Sequence, residues 1–316
     1  MTKREILLGI DTSNYTTSVA AVSLGGELIA NLKIPLSVRE GERGLRQSDA
    51  VFSHLKNIPS IMEQLRDVLD GSLPIAVGVS CRPRNLEGSY MPCFLSGVAV
   101  AESIGASVGI PVFKFSHQCG HLMAAIVSSG MKDSEEDFAA FHVSGGTTEM
   151  LRARRTPDGF SCRLVGGTAD INAGQLIDRV GVYMGMPFPA GVHLESAARG
   201  FLGKLPKCKI HISDRYVNLS GAENQAKKLY DESADSAFAS AFVLNYVSEA
   251  LLCLANSYIH DFGNTRFLFA GGVMSNSIIK SKLSGLGEVY FAEPSLSADN
   301  AVGIAYLARD MFMKSN

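Results

Sequence analysis

Two strand–turn–strand units, far apart in the sequence, limit this chain to a small set of folds. The first joins EILLGID (5–11) through TSNYTT to SVAAVS (18–23), and the second joins FAAFHVS (138–144) through GGTT to EMLRARR (149–155). Around both units, short apolar runs alternate with segments of helical periodicity. Because alternating strands and helices are typical of α/β proteins, the sequence predicts an α/β fold whose core unit occurs twice.

The length of the chain and the absence of a linker bear on its domain organisation. With 316 residues it is long enough for two domains that each bury a core. No low-complexity linker separates them, so a tight crossover near residues 112–118 is predicted. We expect a first subdomain at 1–115, joined by the C-terminal helix at 297–316, and a second subdomain at 116–296.

Composition and charge exclude several classes of protein. Apolar residues make up 46% of the chain and charged residues 19%, which is a globular composition, and the net charge is −2. Without a basic surplus, any RNA contact would have to come from a local patch or from a partner subunit. No stretch reads as a signal peptide or a membrane span, and the six cysteines show no paired spacing. We therefore expect a cytoplasmic protein with free thiols.

Three glycine- or threonine-rich turns could bind phosphate. They are DTSNYTTS (11–18), SGGTT (144–148) and AGGVMSN (270–276). Turns of this kind expose backbone N–H groups without Cβ obstruction, and in open α/β sheets such turns hold nucleotides. A plain β-hairpin is the alternative for SGGTT and for DTSNYTTS when each is taken alone. Together the three indicate a nucleotide in a cleft between two related domains.

Two histidines four residues apart, His117 and His121, lie in FKFSHQCGHLMAAIV (113–127). On a helix they share a face and both imidazoles could reach one ion, although packing is the alternative. A zinc protease would need a glutamate beside the first histidine as general base, and Gln118 cannot take a proton from water. Asp299, at a helix start, is a candidate third ligand or an ordinary N-cap.

Asp178 lies in the apolar helical pattern GQLIDRVGVY (174–183). A carboxylate on the apolar side of a helix needs a partner. A ribose hydroxyl, Arg179 or a backbone amide could each serve.

Several segments together resemble the TsaD family of tRNA threonylcarbamoyltransferases, in order and nearly end to end, from ILLGIDTS to DNAVGIAYLA. The resemblance implies a two-domain actin/sugar-kinase/Hsp70-like fold with a nucleotide, ATP or threonylcarbamoyl-adenylate, in the cleft between domains. The positions that match the family's nucleotide-contacting residues are Ser144, Gly145, Gly146, Asp178, Gly191 and Asn276.

The same resemblance implies a metal site for iron or zinc. His117 and His121 match the family's HxxxH, and Asp299 matches its C-terminal metal aspartate. His142 stands just before VSGG, where a tyrosine reaches the metal in archaeal and eukaryotic relatives. We therefore predict a site of three histidines and one carboxylate, with a strand histidine pairing across the sheet as the alternative for His142.

The chain departs from the family pattern at three places. The first turn reads Thr12-Ser13-Asn14-Tyr15-Thr16, where the family usually has T-S-C-D followed by another acid, so two carboxylates are absent. The family's GPG-type loop reads Arg82-Pro83-Arg84, and Thr147 stands where the family has His or Asn. No catalytic residue is assigned, because the acids that could act as general base are absent.

The resemblance implies transfer of the threonylcarbamoyl group to the tRNA adenosine beside the anticodon. It also implies TsaB- or TsaE-like partner proteins, and a dimer is possible. The departures keep two alternatives open. One is a paralogous carbamoyltransferase with another acceptor, and the other is a non-catalytic nucleotide-binding regulator. A membrane association is not expected.

Overall fold

The structure is a computed structural model that describes residues 4–13, 15–37, 45–132, 136–297 and 300–315. In chain order its elements are β1 (Glu5–Ser13), β2 (Thr16–Ser23), β3 (Leu28–Pro35), α1 (Gln47–Leu69), β4 (Leu73–Arg82), α2 (Phe94–Val108), β5 (Val112–Ser116), α3 (His117–Ser129), β6 (Phe138–Val143), β7 (Thr148–Thr156), β8 (Gly159–Thr168), α4 (Ala173–Tyr183), α5 (Gly191–Arg199), β9 (Ile212–Ser213), β10 (Tyr216–Val217), α6 (Ser220–Ser233), α7 (Ser236–Phe262), β11 (Arg266–Ala270), α8 (Ser277–Leu283), β12 (Glu288–Phe291), α9 (Pro294–Ser297) and α10 (Val302–Ser315).

The first unit is built on a five-stranded sheet of order β3-β2-β1-β4-β5. β1 pairs antiparallel with β2 and parallel with β4, which in turn pairs parallel with β5. Apolar side chains of α1 and α2 join one face of this sheet in a common core. α10 lies close to β1, because a Cβ on Gly9 would come within 2.6 Å of the Ala305 backbone nitrogen. The glycine therefore sets how closely the helix can approach the strand.

The second unit contains a seven-stranded sheet of order β12-β11-β6-β7-β8-β10-β9. The run β8-β7-β6-β11-β12 repeats the chain order and position of β3-β2-β1-β4-β5. β6 pairs antiparallel with β7 and parallel with β11, as β1 does with β2 and β4. The predicted α/β class with a duplicated core is therefore confirmed.

Helix α7 is the main core helix of the second unit. It begins at the N-cap Asp235, whose carboxylate accepts hydrogen bonds from Ala237 N and Phe238 N, and ends at Gly263 with φ 68°. Among the described residues it is the one helix long and apolar enough to cross a membrane. Most of that apolar stretch is buried within this unit, and its side chains belong to the unit's core cluster. Core packing therefore accounts for its composition.

The contacts divide the chain differently from the predicted boundary at 115/116. Helix α3 up to Ser128 and residues 155–161 group with the first unit, together with residues from Leu296 onward. The physical reason is close packing on α10: a Cβ on Gly303 would collide with the Gly120 carbonyl of α3. Arg155 also pairs with Asp310 of α10. The predicted cleft between the domains stays a prediction.

His54, on α1, is a fully buried histidine. Its Nδ1 lies 2.9 Å from Thr17 Oγ1, and no described group lies within hydrogen-bond geometry of its Nε2. Burial lowers the pKa of His54, and the Ser13 backbone and the Asp11 carboxylate oppose this shift only in part. The folded chain therefore keeps the imidazole neutral at a pH where the unfolded chain already binds a proton.

This shift makes stability depend on pH. The contribution of His54 is present above a pH of about 6.5 and is lost as the pH falls below it, with a slope of at most about 1.4 kcal/mol per pH unit. Urea unfolding between pH 7.5 and 5.5 should show a shallower pH slope for His54→Gln than for the wild type. Equal slopes would show that His54 does not carry this linkage.

Candidate functional site

The two predicted metal histidines lie on one face of α3, which starts directly after β5. His117 Nε2 and His121 Nε2 are 2.9 Å apart, and the two rings meet edge to face with centroids 4.3 Å apart. Two nitrogens of a tetrahedral zinc site would lie about 3.3 Å apart, given metal–nitrogen bonds of about 2.0–2.1 Å. The distance between the two Nε2 atoms is therefore within a few tenths of an ångström of the separation expected for two ligands of one zinc ion.

Asp11, at the end of β1, is a third member of this cluster that the sequence did not reveal. Its Oδ2 lies 2.7 Å from His117 Nδ1, and its Oδ1 accepts a hydrogen bond of 2.8 Å from Ser13 N. The carboxylate is fully buried. Carboxylates often orient a metal-binding histidine by this contact. The only sequence signal was an acid that closes a buried strand.

Of the other two predicted ligands, the structure describes His142 but not Asp299. Asp299 lies outside the described residues. His142 lies in the second unit, near the end of β6, paired in register with Glu149 on β7 and Ala270 on β11. Within the described ranges, no three His, Cys, Asp or Glu side chains are placed to hold an ion. The four-ligand site therefore stays a prediction.

Two of the departures from the family pattern can be located in the first unit. Tyr15, in the β1–β2 turn, is exposed, and Thr16 opens β2 opposite Ser13. Arg82 donates hydrogen bonds to Asn85 Oδ1, so its guanidinium is engaged within its own loop. Asn14 lies outside the described residues. These side chains supply no carboxylate at the turn.

A cavity of about 290 Å³ lies within the second unit. This volume is at the lower end for ligand pockets. Its lining comes from the β6–β7 turn, α4, α5 and the turn after β11: Gly145, Gly174, Ile177, Asp178, Pro189, Gly191, Val192, Glu195, Gly272, Val273, Ser275 and Asn276. Four of the six predicted nucleotide positions therefore line one cavity.

The remaining two predicted positions, Ser144 and Gly146, belong to the β6–β7 turn but not to the lining. Ser144 N donates to Thr147 O at 2.7 Å, and Ser144 Oγ accepts from Thr147 N at 3.1 Å. The hydroxyl thus closes the turn itself. Gly174 approaches this turn closely, since its N–H donates to Ser144 O at 3.2 Å and a Cβ there would lie 2.6 Å from Gly145 N. Gly145 and Gly146 have open space where a Cβ would stand.

Asp178 and Asn276 have clear local partners. Of the three partners that the sequence allowed for Asp178, a backbone amide is present. Asp178 Oδ1 accepts a hydrogen bond of 2.8 Å from Ala190 N. Asn276 Oδ1 caps α8 by accepting from Ile278 N and Ile279 N at 3.0 and 3.1 Å. The amide nitrogen of Asn276 is therefore the group that can address a ligand in the cavity.

Glu195, one helical turn after Gly191 on α5, is a lining residue that sequence reasoning missed. Burial raises the pKa of Glu195, but hydrogen bonds from Ser277 and the Arg199 guanidinium outweigh it and hold the pKa below its usual value. The cavity therefore carries a second carboxylate beside Asp178. In the sequence, the only indication of Glu195 was that it follows Gly191 by one helical turn and so lies on the same helical face.

Solved structures share this arrangement of sheets. Full-length HypF in its phosphate- and nucleotide-bound form matches with a TM-score of 0.58 at 14% identity over 99% of this chain, which spans about half of HypF (55%). Component A of the (R)-2-hydroxyglutaryl-CoA dehydratase of Acidaminococcus fermentans matches with a TM-score of 0.53 at 16% identity, over 96% of this chain and 97% of that one. Such likeness concerns the fold alone, and it confirms the actin/sugar-kinase/Hsp70-like class.

Sequence relatives define the family more closely. The family model for TsaD, tRNA N6-adenosine threonylcarbamoyltransferase, matches residues 38–306. The curated protein of that name from Polaromonas sp. (strain JS666) is 30% identical over 96% of this chain and 90% of its own length. The one from Streptococcus suis (strain 05ZYH33) is 28% identical over 100% and 95%. This chain belongs to the TsaD family of acyltransferases.

Proposed function

We propose that this chain transfers the threonylcarbamoyl group from threonylcarbamoyl-adenylate to the tRNA adenosine beside the anticodon, with a bound divalent metal. The observation that carries the proposal is the cavity of the second unit. Gly145, Asp178, Gly191 and Asn276, which the family resemblance picked out from distant parts of the sequence, line it together. Cytoplasmic location and TsaB- or TsaE-like partners are part of the same proposal.

The chemistry of the cavity suits a nucleoside. Among the described residues that line it, the charged ones are Asp178 and Glu195, and both are acceptors. Ribose hydroxyls are donors that match them, and Ile177, Pro189 and Val192 supply apolar contact for a base. A phosphate would be repelled by the carboxylates, so we assign it to the backbone N–H groups of the Ser144–Gly146 turn.

The donor set of the first unit suits a transition metal such as zinc or iron. Imidazole nitrogens are preferred ligands of these ions, and the Nε2 atoms of His117 and His121 already face each other. We propose that these two residues hold the ion, with His142 and Asp299 as further ligands. A bound ion would supply Lewis-acid polarisation of the acyl carbonyl and a template for the adenylate phosphate.

The side chains of this protein then bind and orient the adenylate. Asp178 and Glu195 fix the ribose, and Asn276 donates from its amide nitrogen. Thr147 and Ser144 keep the turn closed so that its glycine N–H groups stay exposed. No described side chain of the β1–β2 turn offers a carboxylate as general base, and we assign no residue of this chain to that role.

Gly174→Ala should weaken nucleotide binding. Gly174→Ala places a Cβ against the Gly145 and Ser144 backbone and pushes the turn out of position. Overpacking of this kind costs about 1–3 kcal/mol. If binding has to return the displaced turn to its place, that cost appears as roughly 5- to 150-fold weaker binding. Calorimetric titration with a non-hydrolysable threonylcarbamoyl-adenylate analogue measures this affinity. Gly285→Ala, where the added Cβ meets open space, is the control. Equal affinities for the two variants would contradict the assignment.

The functional test is a transfer assay with metal-retaining protein, threonylcarbamoyl-adenylate and tRNA that lacks the modification. A second set of reactions adds the partner proteins. Modified adenosine in either set supports the proposal.

The β1–β2 turn supports a second candidate function. The family model matches from residue 38, after the β1–β2 turn, and that turn has Tyr15 and Thr16 in place of acids. A paralogue that uses another acceptor, or that regulates a complete TsaD, would show this pattern. Adenylate binding without transfer in both sets of reactions would support this second candidate.

A further inference from the structure

We infer that Asp11 selects which nitrogen of His117 binds the metal. The inference rests on the metal site proposed above and adds a residue to it. Asp11 Oδ2 lies 2.7 Å from His117 Nδ1, and both side chains are largely or fully buried. A carboxylate accepts only, so the proton of the neutral imidazole is held on Nδ1. The lone pair is then fixed on Nε2, the atom that faces His121.

Asp11 is a positioning residue and not a ligand. The oxygen that faces His117 contacts Nδ1, on the opposite side of the ring from Nε2. The other oxygen accepts from Ser13 N at 2.8 Å. Both oxygens therefore have partners within the fold, and the carboxylate ties the end of β1 to the first turn of α3. Outer-shell partners of this kind typically change metal affinity by about 10- to 100-fold when they are removed.

Asparagine at this position tests the assignment because its amide has a single acceptor oxygen. If that oxygen keeps the Ser13 N–H, the amide NH₂ faces His117 Nδ1. Nδ1 must then accept, and the proton moves to Nε2, where it blocks the lone pair. Asp11→Asn thus preserves shape while reversing the tautomer. Asp67→Asn, at an exposed carboxylate of α1, is the matched control.

Two measurements separate this inference from the metal proposal. The first is long-range ¹H–¹⁵N NMR of the histidine rings in metal-free protein, with His117→Gln used to assign the signals. We expect an Nδ1-protonated His117 in the wild type and in Asp67→Asn, and an Nε2-protonated ring in Asp11→Asn. An Nε2-protonated ring in the wild type, or no change in Asp11→Asn, would overturn the inference.

The second measurement is zinc affinity by competition with a chromophoric chelator. Asp11→Asn should bind zinc about 10- to 100-fold more weakly than the wild type. An affinity within twofold of the wild type would overturn the inference. A wild type that binds no zinc or iron would overturn the metal proposal alone, since the tautomer is read from metal-free protein.

An independent observation concerns RNA. We propose that a basic strip, defined as Lys204, Lys207, Lys209 and His211, contacts the phosphate backbone of RNA. All four side chains are exposed, and none of the three lysines forms an ion pair with any described residue. The chain as a whole has a net charge of −2, so this local cluster is the kind of patch an RNA contact would require.

The strip is held in place although it has no regular secondary structure. Between its cations, Leu205, Cys208 and Ile210 pack against the core of the second unit. Asn245 Nδ2 donates to Cys208 Sγ at 3.1 Å, and Tyr246 Oη donates to Lys209 O at 3.3 Å. The neighbouring Lys282 is paired with Glu249, so that pair adds no net charge. The lysines are thus presented on an anchored backbone, which reduces the entropy cost of binding.

The test is the salt dependence of tRNA binding, measured by fluorescence anisotropy. The triple variant Lys204→Gln, Lys207→Gln, Lys209→Gln is compared with Lys56→Gln, Lys228→Gln, Lys314→Gln, which removes the same charge from other exposed positions. Each lost phosphate contact lowers the slope of log affinity against log salt by about 0.7–0.9. We expect a slope smaller by about 2–3 and an affinity about tenfold lower for the strip variant alone. Equal effects in both variants, or weaker binding of a partner protein with unchanged tRNA binding, would overturn the proposal.

Discussion

Replacement of His121 by alanine is expected to lower transfer activity by about 10²–10⁴-fold, the equivalent of several kcal/mol of transition-state stabilisation. His121 contributes one of the two Nε2 atoms that face each other on α3. Without it, the proposed ion keeps one histidine from this helix. Metal content by elemental analysis should fall in parallel with activity.

His260→Ala is the control for this prediction, because its ring is exposed and its one ion pair among the described residues is with the adjacent Asp261. That variant should keep its metal and its activity. Full metal content in His121→Ala would contradict the proposed site. Full activity with no metal would show that the ion has no part in transfer.

The other large effect concerns stability. Gly303→Ala should lower the free energy of unfolding by about 3 kcal/mol or more, against a usual total of about 5–15 kcal/mol. The added Cβ would collide with the Gly120 carbonyl and lie 2.7 Å from Ala124 N. Both contacts are backbone atoms of α3, so neither can yield by a side-chain rotation. The helix itself must shift, and it carries both histidines.

Urea unfolding monitored by circular dichroism measures this loss. Gly221→Ala, on α6, where the added Cβ meets no neighbour, is the helical control and should be neutral or slightly stabilising. A loss below about 1 kcal/mol for Gly303→Ala would show that α3 and α10 pack less closely than the structure indicates.

The repeated strand–turn–strand units were enough to predict the fold class. Their pattern is local: apolar runs of strand length flank turn residues, and both sheets are built around them. The domain boundary at 115/116 stays a prediction, and the contacts group α3 with the first unit because α3 packs against α10. Gly120 and Gly303 meet across a separation of 183 residues (303 − 120). No periodicity signals a contact of two glycines.

The residues of the candidate site were likewise predicted where the pattern is local and missed where the contact is long-range. His117 and His121 were predicted because their spacing places them on one helical face. Asp11 was missed because its contact with His117 follows from the sheet order, in which β4 lies between β1 and β5. Glu195 was missed because its partner Ser277 lies on another helix. Residues that act through long-range contacts are not visible in local patterns.

Metal-dependent transfer is tested most directly by the amount of N6-threonylcarbamoyladenosine in tRNA. The tRNA is incubated with threonylcarbamoyl-adenylate, the partner proteins and either the wild type or His121→Ala. Mass spectrometry of nuclease-digested tRNA measures the amount of the modified nucleoside. We expect modified adenosine with the wild type and at least 100-fold less with His121→Ala. No modified adenosine with a wild type that binds both the adenylate and metal would contradict this expectation.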